Sequence, residues 1–433
     1  MKFVTGTMPL ASTLQPVDVD SKRKRLDLGL GWDFGSNFST RVQARHDERD
    51  GLQRTAGSFY ANTSQLIAPL DHKTDSVEAS AAYTSGPLHA SVGYYGSWFR
   101  NGNSSLSWTN PFLSSNPAAT RGQLALAPDN DFNQVSASLG YDHGSLVRVS
   151  ADVAWGQMTQ DAALLAASLN PALAAALPAS TLAGRVDTFN ANLRASSQLS
   201  DRLRLTATYA RDVHDNRTHR LAWPSVSADF LSSGTTVDNQ PFSFTRDLAK
   251  VALDFKGPGT IRASGGVDYD RRDRTLQEVA TTQEWTGWMR VSARPTAGTS
   301  LSVKLLHGSR EPDAYGSVTW IAPPENPLMR KFNMAARVRD AAQGHVDATL
   351  SDTVSVAFSA DYARDRYSRS TVGLTSAESL SLGGDLSVAL TDDTQLHAYL
   401  QGERIDSLQA GSDIGTAPRW TAASPPRPCP WSR

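Results

Sequence analysis

Leu26-Asp27-Leu28-Gly29-Leu30-Gly31-Trp32-Asp33-Phe34 alternates apolar and polar residues without a miss, breaks at Gly35-Ser36, and resumes as Phe38-Ser39-Thr40-Arg41-Val42-Gln43-Ala44-Arg45. A period of two predicts a β-strand, because successive side chains on an extended backbone point to opposite faces. One face here is apolar and the other wet. Working outward, the pattern returns in Val147, Val149, Ala151, Val153 and Trp155, in Leu203, Leu205, Ala207 and Tyr209, in Ile261, Ala263, Gly265, Val267 and Tyr269, and in Val354, Val356, Phe358, Ala360 and Tyr362.

The tracts come in pairs. Residues suited to tight reversals lie between them at Gly35-Ser36, Ser85-Gly86-Pro87, Asp142-His143-Gly144, Leu199-Ser200-Asp201, Gly257-Pro258-Gly259, Pro295–Gly298, Ser351-Asp352 and Thr391-Asp392-Asp393. That spacing predicts about eight hairpins, or roughly sixteen strands. Between hairpins the connections look long, at 47–75, 99–132, 157–185, 213–245 and 310–341. Loops of that length are uncommon in compact soluble domains. One tight end and one long-looped end is the layout of an outer-membrane barrel, and tracts of about 8–10 residues match the ~9–11 that cross hydrocarbon. Trp32, Phe34, Phe38, Tyr83, Tyr94, Trp98, Tyr141, Trp155, Tyr209, Tyr269, Trp285 and Tyr362 lie mostly near tract ends, where aromatic girdles belong. The expected fold is all-β: a transmembrane antiparallel up-and-down β-barrel with short periplasmic turns and long outer loops, incomplete at its ends.

The arithmetic agrees by exclusion. The length of 433 residues alone would suggest three soluble domains, but the alternation replaces them with one barrel over 21–409. No apolar run approaches the ~18 residues of a helical span. A net charge of -1 argues against a general nucleic-acid binder. Cys429 is the sole cysteine, so an internal disulfide, a Cys-based zinc site, an iron–sulfur cluster and a C-x-x-C-H haem attachment are excluded. The helix-like stretch 162–183 contains Pro171 and Pro178 and reads as an outer-loop segment. Residues 1–20 read as an irregular N-terminal segment without a secretion signal, and 410–433 as a Pro-rich irregular tail.

No H-E-x-x-H, G-x-S-x-G or P-loop occurs, and nine histidines are scattered. His214 with Asp212 and Asp215 is the best local acid–base candidate, and a solvated strand end explains it as well. An enzyme is therefore not expected, and no catalytic, metal or cofactor-binding residue is assigned. The wet rows carry mixed charge: Asp27, Arg41, Arg45, Arg148, Asp152, Arg204, Arg262, Asp268, Lys304 and Asp361. In a hollow barrel these face the lumen and whatever occupies it. A water-filled porin interior and a wall that grips an inserted protein are both open on these residues.

The chain also resembles the MtrB/PioB family of decahaem-associated outer-membrane proteins. The resemblance runs from about 20 to 409 and rests on an ordered series of junction signatures. These include Lys22–Leu30, Gly57-Ser58-Phe59-Tyr60, Ala61–Leu66 leading to Pro69-Leu70-Asp71, Tyr94–Asn101, Leu106–Phe112 and Leu124–Phe132. Gly184–Thr188, Tyr269-Asp270-Arg271 with Arg274, Gln277-Glu278-Val279 and Glu325–Ala335 continue it. The resemblance implies a barrel acting as a sheath around a periplasmic multihaem c-type cytochrome, often supporting a second one at the cell surface, for extracellular electron transfer. It implies no haem on this chain and haem in the partner cytochrome only. Family barrels have about 26 strands. The lower count here and the character of both ends lead to the expectation of a fragment of an outer-membrane family member, its signal lost by truncation. The alternative is a general diffusion porin.

Overall fold

Leucines, valines and aromatics at every second position make each tract extended, and Gly, Asp or Ser at the tract ends lets the chain reverse in two or three residues. The computed structural model describes residues 16–59, 62–113, 118–144, 146–173, 175–227, 229, 231–316, 326–411 and 427–428. In chain order the strands are β1 (Ser21–Phe34), β2 (Phe38–Phe59), β3 (Asn62–Ser85), β4 (Leu88–Asn101), β5 (Ser105–Thr109), β6 (Arg121–Ala125) and β7 (Asn130–His143). Then come β8 (Val147–Gln160), β9 (Gly184–Ser200), β10 (Leu203–Asn216), β11 (Ala222–Ser227), β12 (Leu231–Asp238), β13 (Phe244–Lys256) and β14 (Arg262–Arg274). The rest are β15 (Thr281–Thr296), β16 (Thr299–Pro312), β17 (Met329–Arg330), β18 (Arg337–Ser351), β19 (Val354–Arg366), β20 (Val372–Thr391) and β21 (Thr394–Ala410). Ile261, read as part of a strand, precedes β14. No helix among the described residues is long and apolar enough to cross a membrane.

The chain divides into two units, Met1–Leu139, Val153–Asn190 and Val213–Ser243 against Gly140–Asp152, Ala191–Asp212 and Phe244–Arg433. In the first, β1 to β4 pair antiparallel in sequence order, with Phe34 opposite Phe38, Asp27 opposite Arg45, and Arg45 opposite Ser76. Gly35 and Gly86 adopt positive φ at the two reversals, where a Cβ would be strained. Two separate hairpins, β5–β6 and β11–β12, belong to the same unit. In the second unit, β13, β14, β15, β16, β18, β19, β20 and β21 form an antiparallel meander in that order.

Burial runs opposite to a soluble protein. On β1, Leu28 and Leu30 are each 62% exposed and Phe34 60%, and Val267, Trp285, Met289, Val303 and Phe358 in the second unit are likewise exposed. A continuous apolar surface of this kind needs lipid or a partner to cover it. Residues with nearly no exposure lie instead at the long-looped ends. In the first unit they are Ala68, Leu70, Phe112 and Ala119, and in the second Val279, Met334, Ala335 and Tyr367.

The structure corrects the reading of the connections. Most of 47–75 is strand, with Arg49 opposite His72 and Asp50 opposite Asp71, and only Tyr60 and Ala61 between β2 and β3 lie outside the described residues. The alternation stops at Asp47 because both faces carry polar groups there, although the backbone ladder continues. Segments 99–132 and 213–245 hold the β5–β6 and β11–β12 hairpins. Segment 310–341 begins inside β16 and ends inside β18. The described residues of 162–183 hold a 3-10 turn at Pro171–Leu173 and an isolated bridge between Ala163 and Thr181. At the far end Ala410 still belongs to β21, and Arg427 and Pro428 pair with Gln409 and Leu408. Cys429, the rest of the Pro-rich tail beyond Gly411, and residues 1–15 lie outside the described residues.

Candidate functional site

Residues directly opposite one another in a ladder share a face, so the registers assign every wet side chain to a row. In the first unit, Asp27 and Arg45 are opposed and ion-paired. Arg41, four residues along β2, is flanked by Gly31 and Ser80 and is exposed. The row continues past the point where the sequence pattern ends. Arg25 lies opposite Asp47 and Arg23 opposite Arg49, and Asp47 accepts from Arg23 Nε at 2.8 Å and from Arg25 Nε at 3.0 Å. Sequence reasoning missed Arg23, Arg25, Asp47 and Arg49 as wall residues. Their odd numbering in step with Asp27, Arg41 and Arg45 was the available signal.

In the second unit a connected wet patch forms across β13 to β19. Asp268 lies between Lys250 and Thr286, with Lys250 Nζ at 3.6 Å, and accepts from the Trp288 indole N–H at 3.2 Å. Lys304 is opposite Arg290 and Gln343, and its ammonium sits over the Trp288 ring, 5.3 Å from the centroid. Asp361 accepts from Gln343 Nε2 at 2.9 Å. Asp268, Lys304 and Asp361 are thus linked through Trp288 and Gln343. The other four do not join this patch by direct bonds. Arg148 pairs with Asp142 at 2.7 Å, Arg204 Nε reaches Gln198 Oε1 at 3.4 Å, Arg262 is flanked by Lys256 and Ser292, and Asp152 lies on β8.

The opposite face is apolar and then, toward the long loops, charged. Tyr209 and Arg211 both donate to Asp247, at 2.5 and 2.9 Å. His307 and Arg366 share Asp340 at 2.7 Å each. Of the acid–base candidate, strand alternation sends Asp215 to the face opposite His214 and Asp212, where Arg217 Nε holds it at 2.9 Å. Among the described residues no group of three His, Cys, Asp or Glu converges to hold a metal ion.

The loop ends are pinned by buried carboxylates. In the first unit Asp187 accepts from Arg185 Nε and NH2 at 3.1 Å each and from Gln157 Nε2 at 3.0 Å, with Arg217 Nε also 3.1 Å away. It lies beyond the roughly ten residues of β9 next to the tight turn that suffice to cross the membrane. The Arg185 guanidinium, aided by Gln157 and Arg217 and opposed by burial, holds its carboxyl below the usual carboxylate range. In the second unit Glu278, 5% exposed at its side chain, pairs with Lys331. The Lys331 backbone N–H donates to the Tyr315 hydroxyl at 2.9 Å, and Arg330 stacks on the Tyr315 ring at 4.4 Å. Burial pushes the Tyr315 phenol above its ordinary value.

Comparison with known proteins agrees with this two-faced sheet. The family model for outer membrane beta-barrel porins of the MtrB/PioB type matches residues 3–424. The outer membrane protein MtrB of Shewanella baltica (strain OS185) is 31% identical over 418 residues, which is 96% of this chain and 59% of that protein. The chain therefore spans less than two thirds of that relative. Among solved structures, the outer membrane transporter YddB of Escherichia coli aligns over 90% of this chain and 55% of its own, with a TM-score of 0.53 and 8% identity. The ferric enterobactin receptor PfeA of Pseudomonas aeruginosa aligns over 90% and 63%, with a TM-score of 0.53 and 11% identity. At those identities the likeness is one of fold: an outer-membrane β-barrel.

Proposed function

Since the chain belongs to the MtrB/PioB family of outer-membrane β-barrel proteins, we propose that it serves as the sheath of an electron conduit, its wet face holding a multihaem c-type cytochrome across the outer membrane for extracellular electron transfer. The observation that carries this reading is the internal pairing of charge along the wet face. Arg45 with Asp27 in the first unit and Lys250 with Asp268 in the second, with Asp361 accepting from the neutral Gln343 amide, leave each wet face rich in hydrogen-bonding groups and interspersed charges of both signs. Such a wall suits the surface of a folded, water-soluble partner, which presents a similar mixture. The apolar face supplies the lipid contact that a fixed path through the membrane requires. In this reading the chain is not an enzyme and binds no haem, the haem residing in the partner. A periplasmic cytochrome occupies the lumen, and the long-loop end is where a second one docks at the cell surface.

Affinity purification from native outer membranes tests the proposal. A Soret band of covalently bound haem should co-elute with the tagged chain in fixed ratio. The second reading, a general diffusion porin, is favoured by Arg41 and Arg262 on the wet face, which are exposed and have no carboxylate partner among the described residues. It requires steady ion conductance from the isolated chain in planar bilayers and no haem in the eluate.

A further inference from the structure

Toward the long-loop end of the first unit the wet face of β1, β2, β3 and β4 forms a cleft of about 660 Å³ lined by Arg23, Arg25, Arg45, Arg49 and Asp47, with Tyr95 and Phe99 contributed by β4. Four guanidiniums thus share the cleft with one carboxylate, Asp47, while Asp27 and Glu78 lie beside it on the same face. Asp47 is committed to Arg23 and Arg25, and Asp27 to Arg45. Arg49 is exposed and has no carboxylate partner among the described residues, although it lies directly opposite Arg23 on one side and His72 on the other. Like charges directly opposed across a ladder are destabilising. On the second unit's wet face Lys250 has Asp268 at 3.6 Å, the Lys304 ammonium sits over the Trp288 ring and Arg148 pairs with Asp142.

We propose that this cleft is a binding site for a small soluble anion carrying two oxyanionic groups, such as a diphosphate. The spacing sets the size of the ligand. Arg23 and Arg25 are two residues apart on one strand, about 7 Å, and Arg49 is one strand away from Arg23, about 5 Å. One oxyanion therefore fits between Arg23 and Arg49, and a second lies within reach of Arg25 and Arg45. The planar guanidinium fork matches the geometry of phosphate and carboxylate oxygens. Asp47 acts as the resident counter-ion that the ligand must displace in part. The site is independent of the sheath reading, because it needs nothing but the four strands that build it.

Inorganic pyrophosphate is the probe, titrated calorimetrically into the full chain in detergent micelles at low ionic strength. Saturable binding is expected, weakened about tenfold in Arg49→Gln, the loss appropriate to one charge-assisted hydrogen bond. Asp47→Asn should strengthen binding, because it frees Arg23 and Arg25 for the ligand. A purely structural role for Asp47 gives no such gain. Arg404→Gln, which removes an exposed charge from the other face of β21, should bind as the unaltered chain does. Absence of saturable binding overturns the proposal, as does weaker binding in Asp47→Asn or an equal loss in Arg404→Gln, which would mean diffuse attraction to surface charge.

Discussion

Asp187 concentrates at one residue the problem that every loop end of this protein has to solve. Above the membrane tract the chain loses its apolar face, so order must come from polar groups with little water around them. Asp187 meets it by accepting from Arg185 and Gln157 with Arg217 close by, and the backbone N–H of Arg217 donates to the Arg185 carbonyl at 2.8 Å. Asp187→Asn keeps the shape and removes the charge, which should loosen this junction by about 1–3 kcal/mol. Hydrogen exchange at the Arg217 amide reads that directly, and an unchanged rate would contradict the clamp. The pH dependence follows from the direction of the shift. A carboxyl held below its ordinary value contributes stability that is complete above the unfolded-state value and disappears as pH falls through the folded-state value. Protection at Arg217 should therefore stay level from neutral pH through mild acid and fall only below the normal carboxylate range. In Asp187→Asn that acid-dependent loss should be absent. The sequence offered Gly184–Thr188 as a family-like signature, with Arg185 inside it, but the other two partners, Gln157 and Arg217, come from separate segments and left no local pattern to read. The wet row shows the converse case. Arg41 and Arg45 were legible because apolar neighbours framed them, whereas Arg49, on the same face of the same strand, stood among charges that erased the frame.

At the scale of elements the two faces of one strand should respond differently to the same insult. Val267 and Asp268 are consecutive on β14; Val267 belongs to the exposed apolar row and Asp268 to the wet patch. Val267→Arg should cost about 2–4 kcal/mol of folding stability in lipid vesicles, as charges do on a lipid face near mid-membrane. Asp268→Asn should cost less than half as much, because water and Lys250 remain beside it. Equal costs in reversible denaturant unfolding would mean the apolar row does not meet lipid. A second element-scale prediction concerns the β5–β6 hairpin. A Cβ added at Gly57 on β2 would overlap the indole of Trp108, which packs with Phe112 and Ala119. Gly57→Ala should therefore lift the hairpin from β2 and speed tryptic cleavage after Arg121, leaving strand content by circular dichroism unchanged. The tight reversals were legible because their chemistry is local: Gly, Pro and Asp do the same work in any hairpin. The ladder extension across 47–75 was not, because backbone pairing there is maintained without a two-residue hydrophobic rhythm.

For the molecule as a whole the decisive question is which solvent each face meets. From Leu26 to Phe34 the apolar row of β1 runs eight residue steps, about 26 Å along the strand and about 20 Å along the membrane normal at a ~40° tilt, near the ~25 Å apolar band of outer-membrane barrels. Two tryptophans on β15 provide the test. Trp285 is 57% exposed on the apolar face and packs on Tyr269 with ring centroids 4.6 Å apart. Trp288, three residues away, donates to Asp268 under the Lys304 ammonium on the wet face. Brominated acyl chains quench only fluorophores in contact with lipid. In vesicles of brominated phosphatidylcholine, Trp285→Phe should remove a quenchable component of the emission, and Trp288→Phe should remove an unquenched one. Iodide added to the aqueous phase should show the reverse preference. If the two substitutions change bromolipid quenching equally, the faces do not separate lipid from water. The sheath and the porin readings would then both lose the membrane wall on which they depend.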